Sequence, residues 1–85
     1  MSRTAAVVDV VARALADHPE GVRVTERDHR GERLVELFMA PGDLGRVIGR
    51  QGRTAAALRT LVTLAAELEG TRATLEFRDD DSRRQ

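Results

Sequence analysis

The residues whose types and spacing best suit chemistry lie together in residues 45–54, which read Gly-Arg-Val-Ile-Gly-Arg-Gln-Gly-Arg-Thr. Arg50 lies between two glycines spaced as Gly-x-x-Gly, and Arg46 and Arg53 flank this motif. Glycine lets the backbone turn sharply and lets a ligand approach without a Cβ in the way. Guanidinium groups offer forked donors that match phosphate oxygens. The segment therefore predicts a contact with phosphate groups.

Two other kinds of phosphate-binding loop are excluded, one by residue type and one by the spacing of the glycines. A Walker loop needs a lysine after its second glycine, and the chain contains no lysine. A dinucleotide loop needs Gly-x-Gly-x-x-Gly directly after a strand, whereas these glycines stand at positions 45, 49 and 52 behind a predicted short helix. What remains is a Gly-x-x-Gly turn between two helices. It opens onto the N-terminus of the second helix, whose free N–H groups and positive dipole end favour an anion.

Six predicted elements position this turn, in the order helix, strand, strand, short helix, long helix, strand. Ser2 or Thr4 caps the first helix, which ends before Pro19. Residues 22–25 and 34–39 alternate apolar with polar side chains and predict two strands, paired as an antiparallel hairpin around a turn at residues 28–31. The spacing within the first helix predicts one apolar stripe, formed by Val7, Val10, Val11, Ala14 and Leu15.

The second half of the chain completes the fold. Asp43 is predicted to cap the short helix, and the long helix is predicted over residues 53–69 with Gly70 as its C-terminal cap. Residues 73–77 alternate again and predict a third strand. The fold class is therefore α+β, a three-stranded sheet with helices packed on one face. We expect one domain over residues 1–78 and a polar tail over residues 79–85.

Composition and charge narrow the class of protein. The 85 residues include 14 basic residues, 14 acidic residues and no cysteine, so the net charge is zero and neither a disulfide nor a thiolate metal site can form. Zero net charge argues against non-specific binding to polyanions. Residues 44–66, however, contain four arginines and no acidic residue. Positive charge is therefore concentrated around the glycine-rich turn, where local potential matters more than the total.

No catalytic chemistry is expected. His18 and His29 have no partners at metal-ligand spacing, and no nucleophile and base are paired, so we expect a protein that is not an enzyme and uses no metal and no cofactor. No apolar run approaches the ~20 residues of a membrane span. The N-terminus also lacks the pattern of a signal peptide, so we expect a cytoplasmic protein without membrane partners.

A family resemblance rests on the same residues. Residues 47–54 resemble the GXXG signature of a KH domain, and the element order α-β-β-α-α-β is similar to the type II, prokaryotic arrangement. Residues 41–61 resemble the small bacterial KhpA family, in which the second loop position is usually lysine; Arg50 keeps that charge. The resemblance implies an RNA chaperone that binds single-stranded RNA. It also implies a partner of the KhpB (Jag/EloR) type, a KH/R3H protein, and an effect on cell elongation and cell-wall synthesis.

The candidate RNA-binding residues are the loop, its flanking arginines and the apolar pair before it: Gly49, Arg50, Gln51, Gly52, Arg53, Arg46, Val47 and Ile48. By resemblance, the four loop residues clamp the sugar-phosphate backbone, and the apolar pair lines a groove for bases opposite a face of the second strand. The chain has no Trp or Tyr, which removes base stacking as a source of affinity. We therefore expect weak, loosely sequence-specific binding.

The long helix carries a second candidate surface, because its apolar arc spans roughly 180° and exceeds the ~100° stripe of a surface helix. The sheet can cover Leu58, Val62 and Ala65. Either the first helix or another subunit is then needed to cover the rest of the arc, namely Ala57, Leu61, Leu64 and Leu68. The resemblance favours another subunit, in a homodimer or in a heterodimer with the KhpB-like partner.

Two alternatives to an RNA chaperone stay open. The domain could be mainly a dimerisation adaptor whose loop has little RNA affinity of its own, which the wide apolar arc and the neutral charge would suit. It could also be an rRNA-processing or ribosome-assembly factor, since that role would use the same binding chemistry.

Overall fold

The structure is a computed structural model that describes residues 1–49 and 51–79. The elements follow the predicted order, with one additional 3₁₀ turn at Pro19–Gly21: α1 Arg3–Leu15, β1 Arg23–His29, β2 Glu32–Met39, α2 Pro41–Gly49, α3 Arg53–Leu68 and β3 Ala73–Asp79. The predicted α+β class is confirmed. Residues 80–85, most of the predicted polar tail, lie outside the described residues, as does Arg50.

The sheet has the strand order β1-β2-β3, which makes β2 its central strand. β1 and β2 are antiparallel, with Val24 opposite Leu37, so the predicted hairpin is confirmed. β2 and β3 are parallel, with Val35 opposite Leu75. Parallel strands need a long crossover connection. Here α2 and α3 form that crossover, and the glycine-rich turn joins the two helices within it.

One face of β2 forms the middle of the core. Val35 and Leu37 are fully buried and Met39 is 1% exposed, as the alternating pattern predicts. All three helices cover this face with buried side chains: Val8 and Ala12 of α1, Leu44 and Val47 of α2, and Leu58 and Val62 of α3.

The hairpin is longer than predicted. β1 continues to His29, and the turn consists of Arg30 and Gly31, with φ angles of 55° and 82°. Two successive residues with positive φ match a two-residue hairpin loop, whose twist suits the flanking strands. The predicted turn at residues 28–31 therefore began too early, because Asp28 and His29 resemble turn residues but pair with β2.

The apolar stripe predicted for α1 is not its buried face. Thr4, Ala5, Val8 and Ala12 are buried, whereas Val10 is 67% exposed. Alanine and valine occur on nearly every side of this helix, so spacing alone did not determine which side faces the sheet. Ser2 does cap α1, because its Oγ accepts a hydrogen bond from the N–H of Ala5 at 3.0 Å.

The prediction that Asp43 caps α2 is wrong. α2 begins at Pro41, and the carbonyl of Ala40 accepts the N–H of Leu44 at 2.9 Å. Proline suits the first helical position because its missing N–H would have no partner there. Asp43 is instead buried within the first turn, where it binds the chain segment that follows α1. In the described part of the chain, no helix is long and apolar enough to cross a membrane.

Candidate nucleic-acid interface

The glycine-rich turn connects α2 to α3. Gly49 ends α2, and Gln51 and Gly52 have φ angles of 56° and 70° before α3 begins. The N–H of Gln51 donates to the carbonyl of Gly49 at 2.7 Å, and the N–H of Gly52 donates to that of Ile48 at 3.1 Å. The backbone is therefore fixed by its own hydrogen bonds on both sides of Arg50. That residue lies outside the described residues, so its predicted role stays a prediction.

The turn leads into α3, whose N-terminus has no side-chain cap. Gly52 occupies the cap position of α3 and has no side chain that could accept a hydrogen bond. The N–H of Ala56 is bonded to the carbonyl of Gly52 at 2.8 Å, so the N–H groups before it have no acceptor within the helix. The N-terminus of α1 differs, because Ser2 caps it and Glu69 accepts the N–H of Arg3 at 3.0 Å.

An open cavity of about 460 Å³ lies at this end of α3 and is lined by Gly49, Gln51, Arg53 and Thr54. The Arg53 guanidinium donates to the Gln51 side-chain oxygen at 3.2 Å. Both side chains are exposed, so the contact leaves further guanidinium donors available. The N–H groups of the first turn, the positive end of the helix and an arginine together favour an anion at this place.

Arg46, the other predicted flanking arginine, is held by the fold. Its guanidinium donates to Asp17 at 2.9 Å, to the carbonyl of Leu15 at 2.8 Å and to Asp43 at 3.3 Å. These contacts attach α2 to the end of α1. Arg46 is 45% exposed, so its predicted contact with RNA stays a prediction, but it has a structural role that the sequence did not reveal.

The same region contains Asp43, a buried carboxylate that accepts several hydrogen bonds. Asp43 is 2% exposed, and this desolvation opposes its ionisation. It accepts the N–H groups of His18 at 2.9 Å and Asp17 at 3.1 Å, and Arg46 lies beside it. These hydrogen bonds and the arginine outweigh the desolvation and lower the pKa of Asp43 below its ordinary value. Asp43 is therefore a charged anchor beneath the helix that ends at the loop.

Val47 and Ile48, the apolar pair before the loop, differ in exposure. Val47 is 4% exposed and belongs to the core cluster. Ile48 is 41% exposed and lines a shallow cavity of about 310 Å³ together with Ala55, Arg59, Glu76 and Phe77. Of the two, Ile48 is therefore the residue presented to a ligand beside the loop.

We call this cavity the groove. The strand that lies opposite Ile48 in the groove is not the predicted one. The strand that lines it is β3, through Glu76 and Phe77, and not β2. The reason is topological, because β2 is the central strand and β3 is the edge strand next to the crossover helices. Phe77 was therefore not among the residues predicted to bind RNA.

Arg59 was also absent from the predicted site. Its guanidinium carbon lies 4.9 Å from the centroid of the Phe77 ring, and both residues line the groove. One available signal was that Arg59 falls in the acid-free stretch of residues 44–66. Phe77 is one of only two phenylalanines, but its placement depends on strand order, which the sequence pattern does not give.

The second candidate surface, on the long helix α3, is exposed to solvent. α1 packs along α3, yet Leu61, Leu64 and Leu68 remain 38%, 51% and 74% exposed, and Ala57 is also exposed. The first helix therefore does not bury the wide apolar arc. We refer to Ala57, Leu61, Leu64 and Leu68 as the leucine face.

Comparisons with known proteins agree with this fold. A family model described as KhpA/KhpB, KH domain, matches residues 5–77. "RNA-binding protein KhpA" of Halalkalibacterium halodurans is 47% identical over 73 residues, which cover 86% of this chain and 96% of the relative. The protein of that name from Leifsonia xyli is 47% identical over 70 residues, covering 82% and 90%. The one from Mycobacterium bovis is 53% identical over 62 residues, covering 69% and 78%.

Among solved structures, a point variant of Aquifex aeolicus Era bound to GDP.AlF4- superposes with a TM-score of 0.61. The match has 18% sequence identity and covers 89% of this chain but 29% of that one, so it concerns the fold alone. The relatives are named as RNA-binding proteins, in line with the expectation that the chain is not an enzyme. The matched family model and these relatives establish that the chain belongs to the KhpA/KhpB family of KH domains.

Proposed function

We propose that this protein binds single-stranded RNA through the turn at residues 49–52 and acts as an RNA chaperone. The observation that carries the proposal is the uncapped N-terminus of α3, which opens onto the cavity lined by Gly49, Gln51, Arg53 and Thr54. The names of its relatives, RNA-binding protein KhpA, support the same ligand.

The proposed contact has two parts. A phosphate of the RNA accepts hydrogen bonds from N–H groups at the start of α3, and Arg53 and Arg50 neutralise its charge. The glycine at position 49 has no neighbouring atom within 4 Å of the place where a Cβ would stand, so the backbone can be approached closely. From the clamped phosphate, the attached bases reach the groove beside Ile48.

The composition of the groove limits affinity. Phe77 is its aromatic residue, and Arg59 already lies over that ring. A stacked base contributes about 1–3 kcal/mol where a free aromatic platform exists. With zero net charge and no such platform in the groove, the domain is suited to weak contacts with many RNAs rather than to one tight target.

The test is the double variant Arg50→Asp/Gln51→Asp, which makes the loop more negative by about three charges at neutral pH. His29→Asp/Arg30→Asp makes nearly the same change of charge at the β1–β2 turn, where Arg30 already has a positive φ that aspartate tolerates. Binding of a short fluorescein-labelled RNA of mixed sequence is followed by anisotropy, and circular dichroism checks folding. We expect the loop variant to lose binding while the control keeps it. A folded loop variant with wild-type affinity would refute the proposal.

A second function is favoured by the leucine face. An uncovered row of leucines on a helix that already packs against α1 on one side suits a second copy of the chain. We propose that the protein forms a homodimer through this face, or a heterodimer with a KhpB-like KH/R3H protein. Sedimentation or light scattering of the purified chain, alone and mixed with such a protein, separates the two assemblies.

The cellular role rests on the family resemblance. We propose that the protein acts in the cytoplasm in post-transcriptional regulation linked to cell elongation and cell-wall synthesis. Crosslinking to RNA in growing cells tests this role, because a chaperone recovers many short single-stranded segments. Recovery confined to precursor rRNA would favour a ribosome-assembly factor, and no enrichment over the loop variant would favour a dimerisation adaptor.

A further inference from the structure

Arg59 differs from the other arginines around the RNA-binding loop. Its guanidinium lies over Phe77, and no hydrogen bond or ion pair joins it to a side chain of residues 1–49 or 51–78. Arg46 is bound by Asp17 and Asp43, and Arg53 is bound by Gln51. Arg59 is therefore oriented by the ring beneath it while its N–H donors stay available to a ligand.

The position of this arginine is suited to a base rather than a phosphate. Arg59 lines the groove with Ile48 and Ala55, whereas the anion site at the start of α3 is lined by Gly49, Gln51, Arg53 and Thr54. Ile48 and Ala55 offer apolar walls to the faces of a base. The edge of that base then meets the guanidinium. Resting on the proposed function, we infer that Arg59 reads a base edge in the groove and makes the domain prefer cytosine or guanine.

The preference follows from the donor pattern of arginine. A guanidinium has five donors and no acceptor, and its forked pair matches two neighbouring acceptor atoms. Guanine offers N7 and O6 as such a pair, and cytosine offers O2 and N3. In uracil the two carbonyl oxygens are separated by an N–H, and in adenine each ring acceptor on these edges stands beside an amino group. Neither of these two bases can accept both donors of the fork.

Glu76 on the other side of the groove supports the same choice. Its carboxylate lines the cavity and can accept a hydrogen bond from the exocyclic amino group of cytosine or guanine. Arg78 already binds one of its oxygens, and a carboxylate has further lone pairs to offer. Uracil has no amino group, so it is disfavoured by both side chains.

The experiment compares four RNAs of sequence U4-X-U4, in which X is C, G, A or U, with wild type and with Arg59→Lys. Lysine keeps the charge and loses the fork. The matched control is Arg72→Lys, because Arg72 is 84% exposed and lies before β3, at the end of that strand away from the groove. Affinities are measured by anisotropy at one salt concentration, since RNA binding depends strongly on salt.

We expect wild type and Arg72→Lys to bind the C or G oligonucleotide roughly tenfold more tightly than the U oligonucleotide. Arg59→Lys should lower the C and G affinities until they equal that variant's own affinity for the U oligonucleotide. Four equal affinities in wild type would overturn this inference and leave RNA binding by the loop standing. A preference that survives in Arg59→Lys would also overturn it. If wild type bound none of the four, the proposed function itself would fail and the inference with it.

Discussion

The carboxylate of Asp43 accepts the backbone N–H of His18 at 2.9 Å, which joins the helix before the loop to the segment after α1. It also accepts the N–H of Asp17, so one buried side chain satisfies two backbone donors. The position of α2, and with it the position of Gly49, depends on this contact. Residues far from the glycine-rich turn in sequence therefore help to set its geometry.

Removal of this anchor is expected to destabilise the fold. Asp43→Ala removes the charged acceptor of the N–H groups of Asp17 and His18, and hydrogen bonds to a charged group contribute more than neutral ones. We predict a clear fall in the midpoint of urea unfolding. Asp28→Ala, an exposed position of the β1–β2 hairpin, serves as the control and should change it little. Equal midpoints for the two variants would contradict the role assigned to Asp43.

The carboxylates of Glu69 and Glu26 accept hydrogen bonds from the start of α1, and we predict that their ionisation makes the stability of the fold depend on pH. The N–H of Arg3 lowers the pKa of Glu69 below its ordinary value of 4.5. Partial burial opposes ionisation of Glu26, but hydrogen bonds from Ser2 and the charge of Arg33 also lower its pKa. The contribution of both carboxylates is thus present above pH 4.5 and is lost as the pH falls through the lowered folded-state values.

This dependence can be tested by unfolding Glu69→Gln at a series of pH values. We predict that the variant is less stable than wild type near neutral pH and that the difference narrows as the pH falls below 4.5. Glu67→Gln, an exposed neighbour on α3, should follow the wild-type curve. A constant difference between wild type and Glu69→Gln at all pH values would show that Glu69 acts without its charge.

Arg53→Asp separates RNA binding from folding. Aspartate in the first turn of α3 interacts favourably with the helix dipole, by about 0.3–1 kcal/mol, so the fold should not weaken. The same carboxylate repels phosphate and removes a charge-assisted hydrogen bond, so RNA affinity should fall about tenfold or more. Arg72→Asp has the same change of charge and should keep most of the affinity. Similar losses in both variants would mean that net charge, and not the loop, determines binding.

Gly49→Ala tests the close approach of RNA to the backbone. A Cβ at this position meets no atom within 4 Å, and the residue lies in α2, so stability should be unchanged or rise by up to about 1 kcal/mol. The added methyl group stands where the proposed phosphate approaches, and RNA affinity should therefore fall. Gly42→Ala, also in α2 and also without neighbours within 4 Å, is the control and should bind normally. Full affinity in Gly49→Ala would argue against a contact at this glycine.

The leucine face predicts the state of assembly. Leu64 is 51% exposed, and Leu64→Glu places a charge where a partner helix would pack. We expect the mass measured by light scattering to fall from that of a dimer to that of a monomer. Thr63→Glu adds the same charge to an exposed position of the same helix outside the leucine face, and should leave the mass unchanged. A monomeric wild type, or a dimer that survives Leu64→Glu, would exclude this face as the interface of a homodimer.

Patterns that repeat along one element were predictable from the sequence. The alternation in β2 identified Val35, Leu37 and Met39 as core residues because only one face of that strand can be buried. The Gly-x-x-Gly spacing identified a turn between helices because glycine adopts a positive φ without steric cost, as at Gly52.

Features that depend on packing between elements were not predictable. The buried face of α1 could not be chosen from its spacing, because Val10 and Val8 are equally apolar and only the sheet distinguishes them. The wall of the groove was assigned to β2 because strand order does not appear in local patterns. Asp43 resembled a helix cap, and its role emerged only when the segment after α1 was brought beside it.

Titration of the ¹⁵N-labelled protein with a short single-stranded RNA, followed by amide chemical shifts, tests most directly whether the loop is the binding site. We predict that the largest changes fall on Gly49, Gln51, Gly52 and Arg53, with Ile48 and Arg59 next, and that the hairpin turn at Arg30 and Gly31 does not respond. Two results would contradict RNA binding by this loop. One is a set of changes confined to the leucine face, and the other is no change at RNA concentrations well above those used in the anisotropy measurement.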